Sequence, residues 1–313
     1  MSQEPARIAP ETARPRLAVH SLRIEATSER GPTVLVHDVS LHVDPGEAVA
    51  LVGGSGCGKS LTLLALLGLL PPGLRVTAGS ALLAPGDEEA DVAPIDLLQA
   101  DAVTLQRLRG RRLGLVLQEP ASALNPVRTL GSQLHEVLAR HRGLRGAPAR
   151  RRGIELLERV AMPEPTRRWH AHPHELSGGQ RQRALLALAL AGEPDVLLAD
   201  EPTTALDVTL QAQMLELLDS LRRELGLSLI LVTHDLAVVA ATCRRAVVLD
   251  AGRVVEHGPV ESLYAAPEHQ ATRRLLHAAR RGRTHTESEA ETDDGAVDVE
   301  TVDGETVDEE TVP

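Results

Sequence analysis

Phenylalanine is absent from this 313-residue chain, and its aromatic complement is one tryptophan, Trp169, and one tyrosine, Tyr264. A core for this chain has to be assembled from Leu, Val and Ala. Only two cysteines occur, Cys57 and Cys243, which excludes a disulfide framework and leads us to expect a reducing, cytosolic setting. Long apolar runs are also missing. The most apolar segments, "LTLLALLGLL" and "ALLALALA", fall short of the ~20 residues a membrane span needs, and the leading "MSQEPARIAPETARPR" has no apolar run of the signal-peptide kind. The scarcest charged residue is lysine: of 33 Lys+Arg, the single lysine is Lys59 and arginine supplies the rest.

Net charge is −11, and its distribution matters more than its size. Twelve Asp/Glu and no Lys/Arg lie from Glu287 onward, which leaves the preceding chain at about +1. That near-neutral body has no electrostatic footprint for nucleic acid. The terminal quasi-repeat "ETVDGETVDEETV" has no apolar face of helical or strand length. We expect it to be disordered, either as a solubilising extension or as a segment that docks to a basic partner.

Patterning places strands at "LAVHSLRI" and "VLVHDVSLHV", joined by a turn around Gly31-Pro32. "EAVALV" then runs into glycines, and "SLTLLALLGLL" follows as a helix expected to end at Pro71-Pro72. An irregular, antiparallel-looking region with the acidic loop "PGDEEADVAP" reaches about Gly110, and "LGLVLQ" is a further buried strand. From Glu119 to about Leu190 the pattern is helical, with breaks at "RGLRGAP" and "MPEPTRRW". Beyond it, "DVLLADE", "SLILVTHD" and "RAVVLDAGRVV" are β-rich runs, and a helix over Val208 to Leu225 separates the first two. The alternation predicts an α/β fold with a mainly parallel sheet covered on both faces, an antiparallel β portion and a helical insertion.

The chemistry-bearing stretch is "LVGGSGCGKSL". Gly53, Gly54, Ser55, Gly56, Cys57, Gly58, Lys59, Ser60 and Leu61 form G-x-x-x-x-G-K-S between a predicted strand and helix. Glycines let successive backbone N–H groups wrap a phosphate, and the helix N-terminus adds its positive dipole end. Lys59 reaches the β- and γ-phosphates as a compact point charge, whereas arginine's planar fork does not fit so tight a loop. Ser60 would ligate Mg²⁺. Cys57 reads as a small filler, with a reactive thiol at a helix N-terminus as the alternative. "VLLADE" supplies the complement: Asp200 at the end of a buried strand for the metal's shell, and Glu201 beside it as a general base.

"LSGGQ", with Ser177, Gly178, Gly179 and Gln180, resembles the signature of ATP-binding cassette (ABC) ATPases. The other family motifs follow in order: Gln118 resembles the Q-loop glutamine, Asp207 in "TALD" the D-loop, and His234 in "THD" the switch histidine. The resemblance implies a P-loop NTPase, RecA-like core over about 17–276, with a helical subdomain at about 119–190. It leaves a disordered lead at 1–16, and a linker and acidic tail at 277–313. It further implies ATP and Mg²⁺ as ligands and two cassettes paired head to tail, so that each signature caps ATP on the opposite subunit. In that scheme Glu201 activates water, Lys59 and His234 hold the γ-phosphate, Ser60, Gln118 and Asp200 serve the metal, and Gln118 links the site to a moving helical insertion.

Narrower stretches, among them "QEPASALNPVRTLGSQL" and "HPHELSGGQRQR", are similar to ATPase subunits of peptide, opine and nickel importers. That likeness implies integral membrane permeases, a second ATPase that is either a copy or a paralogue, and an extracytoplasmic solute-binding protein as partners. It also implies no nucleic acid and a place on the cytoplasmic face of the membrane. The alternatives are a soluble ABC ATPase of translation or DNA repair, and an inactive regulatory cassette; the single cassette and its complete catalytic set weigh against them. His170, His172 and His174 in "WHAHPHE" alternate in a loop with no carboxylate partner evident in the sequence, so a loop is favoured over a metal site. No carboxy-terminal cysteine cluster of the kind many relatives carry is present, and no iron–sulfur centre is expected. The family's adenine-stacking aromatic is replaced by a residue at about Ala26. Without that ring, discrimination between ATP and GTP is expected to be weak, and a GTP affinity poorer than that for ATP by about 100-fold or more in equilibrium titrations would contradict this.

Overall fold

The computed structural model describes residues 14–28, 31–86, 92–204 and 206–279. Strands β1 (Leu17–Ser28), β2 (Gly31–Val43), β4 (Leu74–Leu83) and β5 (Ile95–Asp96) form an antiparallel sheet in the order β2-β1-β4-β5. The second sheet has the order β10-β9-β3-β8-β7-β6. Its strands are β3 (Ala48–Gly53), β6 (Leu113–Val116), β7 (Val196–Asp200), β8 (Ser228–Thr233), β9 (Arg245–Asp250) and β10 (Arg253–Pro259). All its pairings are parallel except β9 with β10.

Strands β3, β7 and β8 are buried at every position. This explains why their sequences are continuous apolar runs with no polar alternation: both faces are covered, as in parallel sheets generally. The period of two survives in which core each residue enters. Ala48, Ala50, Val52, Leu197, Ala199, Leu229 and Leu231 face the helical side. Val49, Leu51, Val196, Leu198, Ile230 and Val232 face the core shared with the antiparallel sheet.

Between β6 and β7 the chain is helical: α3 (Pro120–Ala123), α4 (Leu130–Arg142), α5 (Gly146–Arg159), α6 (Pro165–Arg168), a 3₁₀ turn at Pro173–Glu175 and α7 (Gly178–Leu190). Helices α1 (Lys59–Leu66) and α2 (Ala102–Leu108) precede this block. Helices α8 (Val208–Leu225), α9 (Leu236–Thr242) and α10 (Val260–Ala265) follow it, as does a last helical stretch at 270–279.

Several local expectations change. Helix α1 does not run to Pro71-Pro72: it ends at Leu66, and Gly68 behind it takes φ +61°, the left-handed conformation that terminates helices. The irregular region before Gly110 contains α2, whose N-cap Asp101 accepts from the Thr104 amide at 2.7 Å. The two expected helical breaks are present, between α4 and α5 and between α5 and α6, and in each case a proline enters the first turn of the next helix, where its missing N–H costs nothing: Pro148 in α5 and Pro165 in α6. Arg16, expected in the lead, already pairs its amide with the Val43 carbonyl at 2.8 Å, and 277–279 continue the last helix. The expected disorder of 1–13 and of the acidic tail from 280, the tip of the first turn (29–30), and 87–91 of the acidic loop lie outside the described residues.

Trp169 is the one buried aromatic side chain among the described residues of the helical-side core, against which the partly buried Tyr264 packs, and the seat of Trp169 is cut from glycine. A β-carbon on Gly131 of α4 would lie 2.3 Å from the indole, and one on Gly153 of α5 2.1 Å from it. Helix propensity alone would make Gly153→Ala stabilising by about 1 kcal/mol. Overpacking against the ring costs about 1–3 kcal/mol. We expect the net sign to be destabilising, read from urea unfolding followed by the emission of Trp169; a variant more stable than the parent would show that the ring is not wedged.

Candidate functional site

Because β3, β6, β7 and β8 run parallel, their carboxyl ends meet at one edge of the sheet. The sequence places a functional side chain just beyond each end: the glycine loop after β3, Gln118 after β6, Asp200 and Glu201 at the end of β7, and His234 after β8. This edge is where open α/β sheets bind ligands.

The loop is closed by backbone geometry. Gly58 takes φ +102°, and a β-carbon there would meet Val36 Cγ2 at 2.9 Å, so this position admits only glycine without displacement. On Gly53 a β-carbon would meet the Leu249 carbonyl oxygen at 2.4 Å and the Cys57 sulfur at 2.5 Å. Cys57 therefore fills the space behind the loop, and burial pushes its thiol up. Above Gly54 and Gly56 the space is open. Lys59, the first residue of α1, is only 5% exposed, and its Nζ donates to the carbonyls of Gly53 and Gly54, both at 2.9 Å.

Glu201 is the hub. Its Oε1 lies 3.9 Å from Lys59 Nζ and 3.2 Å from His234 Nδ1. Its Oε2 accepts from Gln118 Nε2 at 3.1 Å and from the Thr204 hydroxyl at 3.0 Å. The backbone of Glu201 is left-handed at φ +45°, a conformation costing about 1–3 kcal/mol that persists where surrounding structure over-determines it. Its amide holds that turn by donating to the Val232 carbonyl of the neighbouring strand at 2.9 Å. His234 is placed by Asp235, whose carboxylate accepts from the Ala237 amide at 2.7 Å and caps α9.

Asp200 is buried, and its Oδ1 has no hydrogen-bond partner. Burial pushes its carboxyl above the usual range and Glu201 adds to the rise, while a hydrogen bond from Ser60 and the charge of Lys59 oppose it. An orphaned buried oxygen beside a serine hydroxyl is a hard donor set of the kind a small divalent cation takes.

The structure thus brings Lys59, Ser60, Gln118, Asp200, Glu201 and His234 together. Ser177, Gly178, Gly179, Gln180 and Asp207 are placed elsewhere. Ser177 caps α7 through the Gln180 amide, and Gln180 Oε1 accepts from the Ser177 amide, both at 3.3 Å. Asp207 caps α8 through the Leu210 amide at 2.9 Å. The two helix starts adjoin, since a β-carbon on Gly179 would meet Leu210 at 3.5 Å. Among the described residues, no hydrogen bond or ion pair links this group to the glycine loop. Thr204 was missed from sequence, although a hydroxyl three residues after Glu201 in "DEPTT" was a usable signal. Ala26 pairs with Thr33 and Leu74 inside the antiparallel sheet. His172, contrary to expectation, has a carboxylate partner: its Nδ1 lies 3.3 Å from Glu175, with which it forms a capping box, and its ring stacks on that of His174.

The profile of the family described as "ABC transporter" matches residues 36–204. A Brucella melitensis protein named as a peptide import ATP-binding protein is 46% identical over 263 residues, 84% of this chain and 77% of that protein. A Brucella abortus protein so named has the same identity and coverage. Among solved structures, the dimeric post-hydrolysis state of the ATP-binding cassette MJ0796 with ADP and Pi superposes with a TM-score of 0.67. It has 28% identity and covers 78% of this chain and 98% of that one. For cbiO1 of Clostridium perfringens, part of the transporter complex cbiONQ, the TM-score is 0.63 at 26% identity, with 81% and 92% covered.

Both thiols are set for inertness. Burial pushes that of Cys243 up to about 12, so its thiolate fraction at pH 8 is about one in ten thousand. Thiolate is the reactive form, and a raised value removes it. Neither cysteine of the folded protein is expected to react with iodoacetamide at pH 8, and both are expected to react in denaturant, as read by mass spectrometry.

Proposed function

Because the chain belongs to the ABC transporter family, we propose that it is the ATP-hydrolysing subunit of a membrane importer of peptides, seated on the cytoplasmic face of its permease. It binds and hydrolyses ATP, as the cassettes of the family do. The observation that carries the catalytic reading is the convergence of His234, Gln118, Thr204 and Lys59 on the Glu201 carboxylate beside the glycine loop. The peptide cargo rests on the names of the Brucella relatives. Among the described residues no helix is long and apolar enough to cross a membrane; in this reading the path across the membrane belongs to permease subunits, as importer ATPases imply.

In this reading the cassette spans 17–276 with its helical subdomain at about 119–190. The amides of Gly53 to Leu61 cradle the phosphates, and Lys59 transfers from the Gly53 and Gly54 carbonyls to the β/γ-phosphate oxygens. Glu201, freed from His234 and Gln118 as they turn to the nucleotide, accepts a proton from the attacking water. His234, half exposed, steadies the γ-phosphate through its other ring nitrogen. Asp200, Ser60 and Gln118 would hold Mg²⁺, and the unpartnered Asp200 Oδ1 supports the assignment. When bound, that ion supplies charge neutralisation at the β- and γ-phosphate oxygens. Ser177, Gly178, Gly179, Gln180 and Asp207 serve the site of a second cassette across a head-to-tail dimer. Their separation from their own loop and the dimeric structure of MJ0796 support this.

Glu201→Gln should lower ATP turnover by about 10²- to 10⁴-fold with ATP affinity retained. The same variant, tagged and isolated from native membranes in Mg-ATP, should bring down two polytopic subunits and a solute-binding protein whose pocket identifies the cargo. Wild-type turnover would remove Glu201 as the base. Ribosomal or repair proteins in place of membrane subunits would remove the transport reading, and a nickel-binding protein would replace peptides as the cargo.

A further inference from the structure

On the edge of the molecule away from the glycine loop, the amino end of β6 and the carboxyl ends of α2 and α4 line a half-open cavity of about 260 Å³. Its walls are Gln106, Arg107, Arg111, Arg140 and His141. Among the described residues, no acidic side chain lines it. Neighbouring arginines are spoken for: Arg109 donates to the Leu67 and Gly68 carbonyls, Arg112 pairs with Asp195, and Arg142 with Glu193. Arg107, Arg111 and Arg140 have no carboxylate within ion-pairing distance among the described residues, although Asp101 and Glu136 feel Arg107 and Arg140 through space. His141 is held below its usual value by burial and by Arg140 and Arg111. The positive charge of the cavity therefore belongs to the three guanidiniums, whose planar forks match carboxylates two oxygens at a time.

The chain carries a matching polyanion. Residues 287–313 hold twelve Asp/Glu and no Lys/Arg, while the remainder is close to neutral. We propose that the acidic segment 287–313 of this same chain docks its carboxylates into the cavity walled by Arg107, Arg111 and Arg140. Reach is no obstacle. The 34 residues beyond Ala279 can span up to about 110 Å, whereas a body of this size has a radius of gyration of about 18 Å. Tethering raises the local concentration of the segment to about the millimolar range, so contacts too weak to hold a free peptide suffice. The cavity joins α4 of the helical block to the α2–β6 connection at the end of the sheet opposite the loop. The docked segment thus ties two parts of the cassette together and leaves the nucleotide edge open.

The scarcity of lysine makes the test clean. In the full-length chain, Arg140→Lys and, separately, Arg111→Lys each introduce an ammonium where the only other lysine is buried Lys59. A carbodiimide then joins that amine to a touching carboxylate as an amide, the reagent taking up the water lost, and the links are mapped by mass spectrometry. Arg75→Lys on β4, beside Glu25 at 4.0 Å, is the comparison. We expect links from positions 140 and 111 to acids between 287 and 310, about tenfold or more above those from position 75. Equal yields from all three positions, or links from 140 and 111 only to the 87–91 loop or to no acid at all, would overturn the proposal. In a mixture of isotopically heavy and light chains, links within one chain are expected, and predominantly mixed links would overturn the assignment to the chain's own segment.

Discussion

An ammonium buried to 5% exposure has to be answered by oxygen, and much of this fold follows from how Lys59 is answered. Removing such an ion from water costs several kcal/mol even after the protein relaxes. Two carbonyls of the loop, Gly53 and Gly54, and the Glu201 carboxylate at 3.9 Å supply the compensation. That arrangement requires a backbone turned back on itself around the amine, which a left-handed Gly58 and an unsubstituted Gly53 permit. It also requires Glu201 to arrive from a different strand at the same edge.

The parallel sheet meets the second requirement. Strands β3 and β7 both pair with β8 in parallel register, so the loop after one and the carboxylates at the end of the other reach the edge together with His234. Covering both faces of that sheet explains the apolar runs and the alternation of their residues between two cores. The left-handed Glu201 and the unpartnered Asp200 oxygen are local costs at this edge, and the buried strands behind them hold both in place.

The helical block solves a different problem. With almost no aromatics to fill space, its core is Leu and Ala packed around one indole, and two glycines at helix contacts make room for the ring. Its surface is rich in arginine, part of it paired with glutamates such as Glu136, Glu164 and Glu193. At its junction with the α2–β6 connection, Arg140 joins Arg107 and Arg111 in walling a cavity that no acidic side chain among the described residues lines.

Most of the strands and the long helix Val208–Leu225 were legible in the sequence, because buried parallel strands and amphipathic helices print their environment on residue order. Lys59, Asp200 and Glu201 stood out by residue type beside predicted strands, and Gln118 and His234 through the resemblance to ABC ATPases; the structure brings these side chains together at one sheet edge. The end of α1 at Leu66 was misread and the helix α2 was missed, because a proline or glycine downstream does not fix the residue at which a helix stops, and a helix of seven residues prints little periodicity. The sequence by itself determined the alternation of strands and helices and the inventory of a phosphate site, for these depend on local spacing and residue type. Tertiary structure alone decided that Thr204, Gln118 and His234 share one carboxylate, that Trp169 sits between two glycines, and that three arginines from separate elements wall one cavity. Contacts between segments distant along the chain are set by strand order and packing, and neither is written in any one stretch of residues.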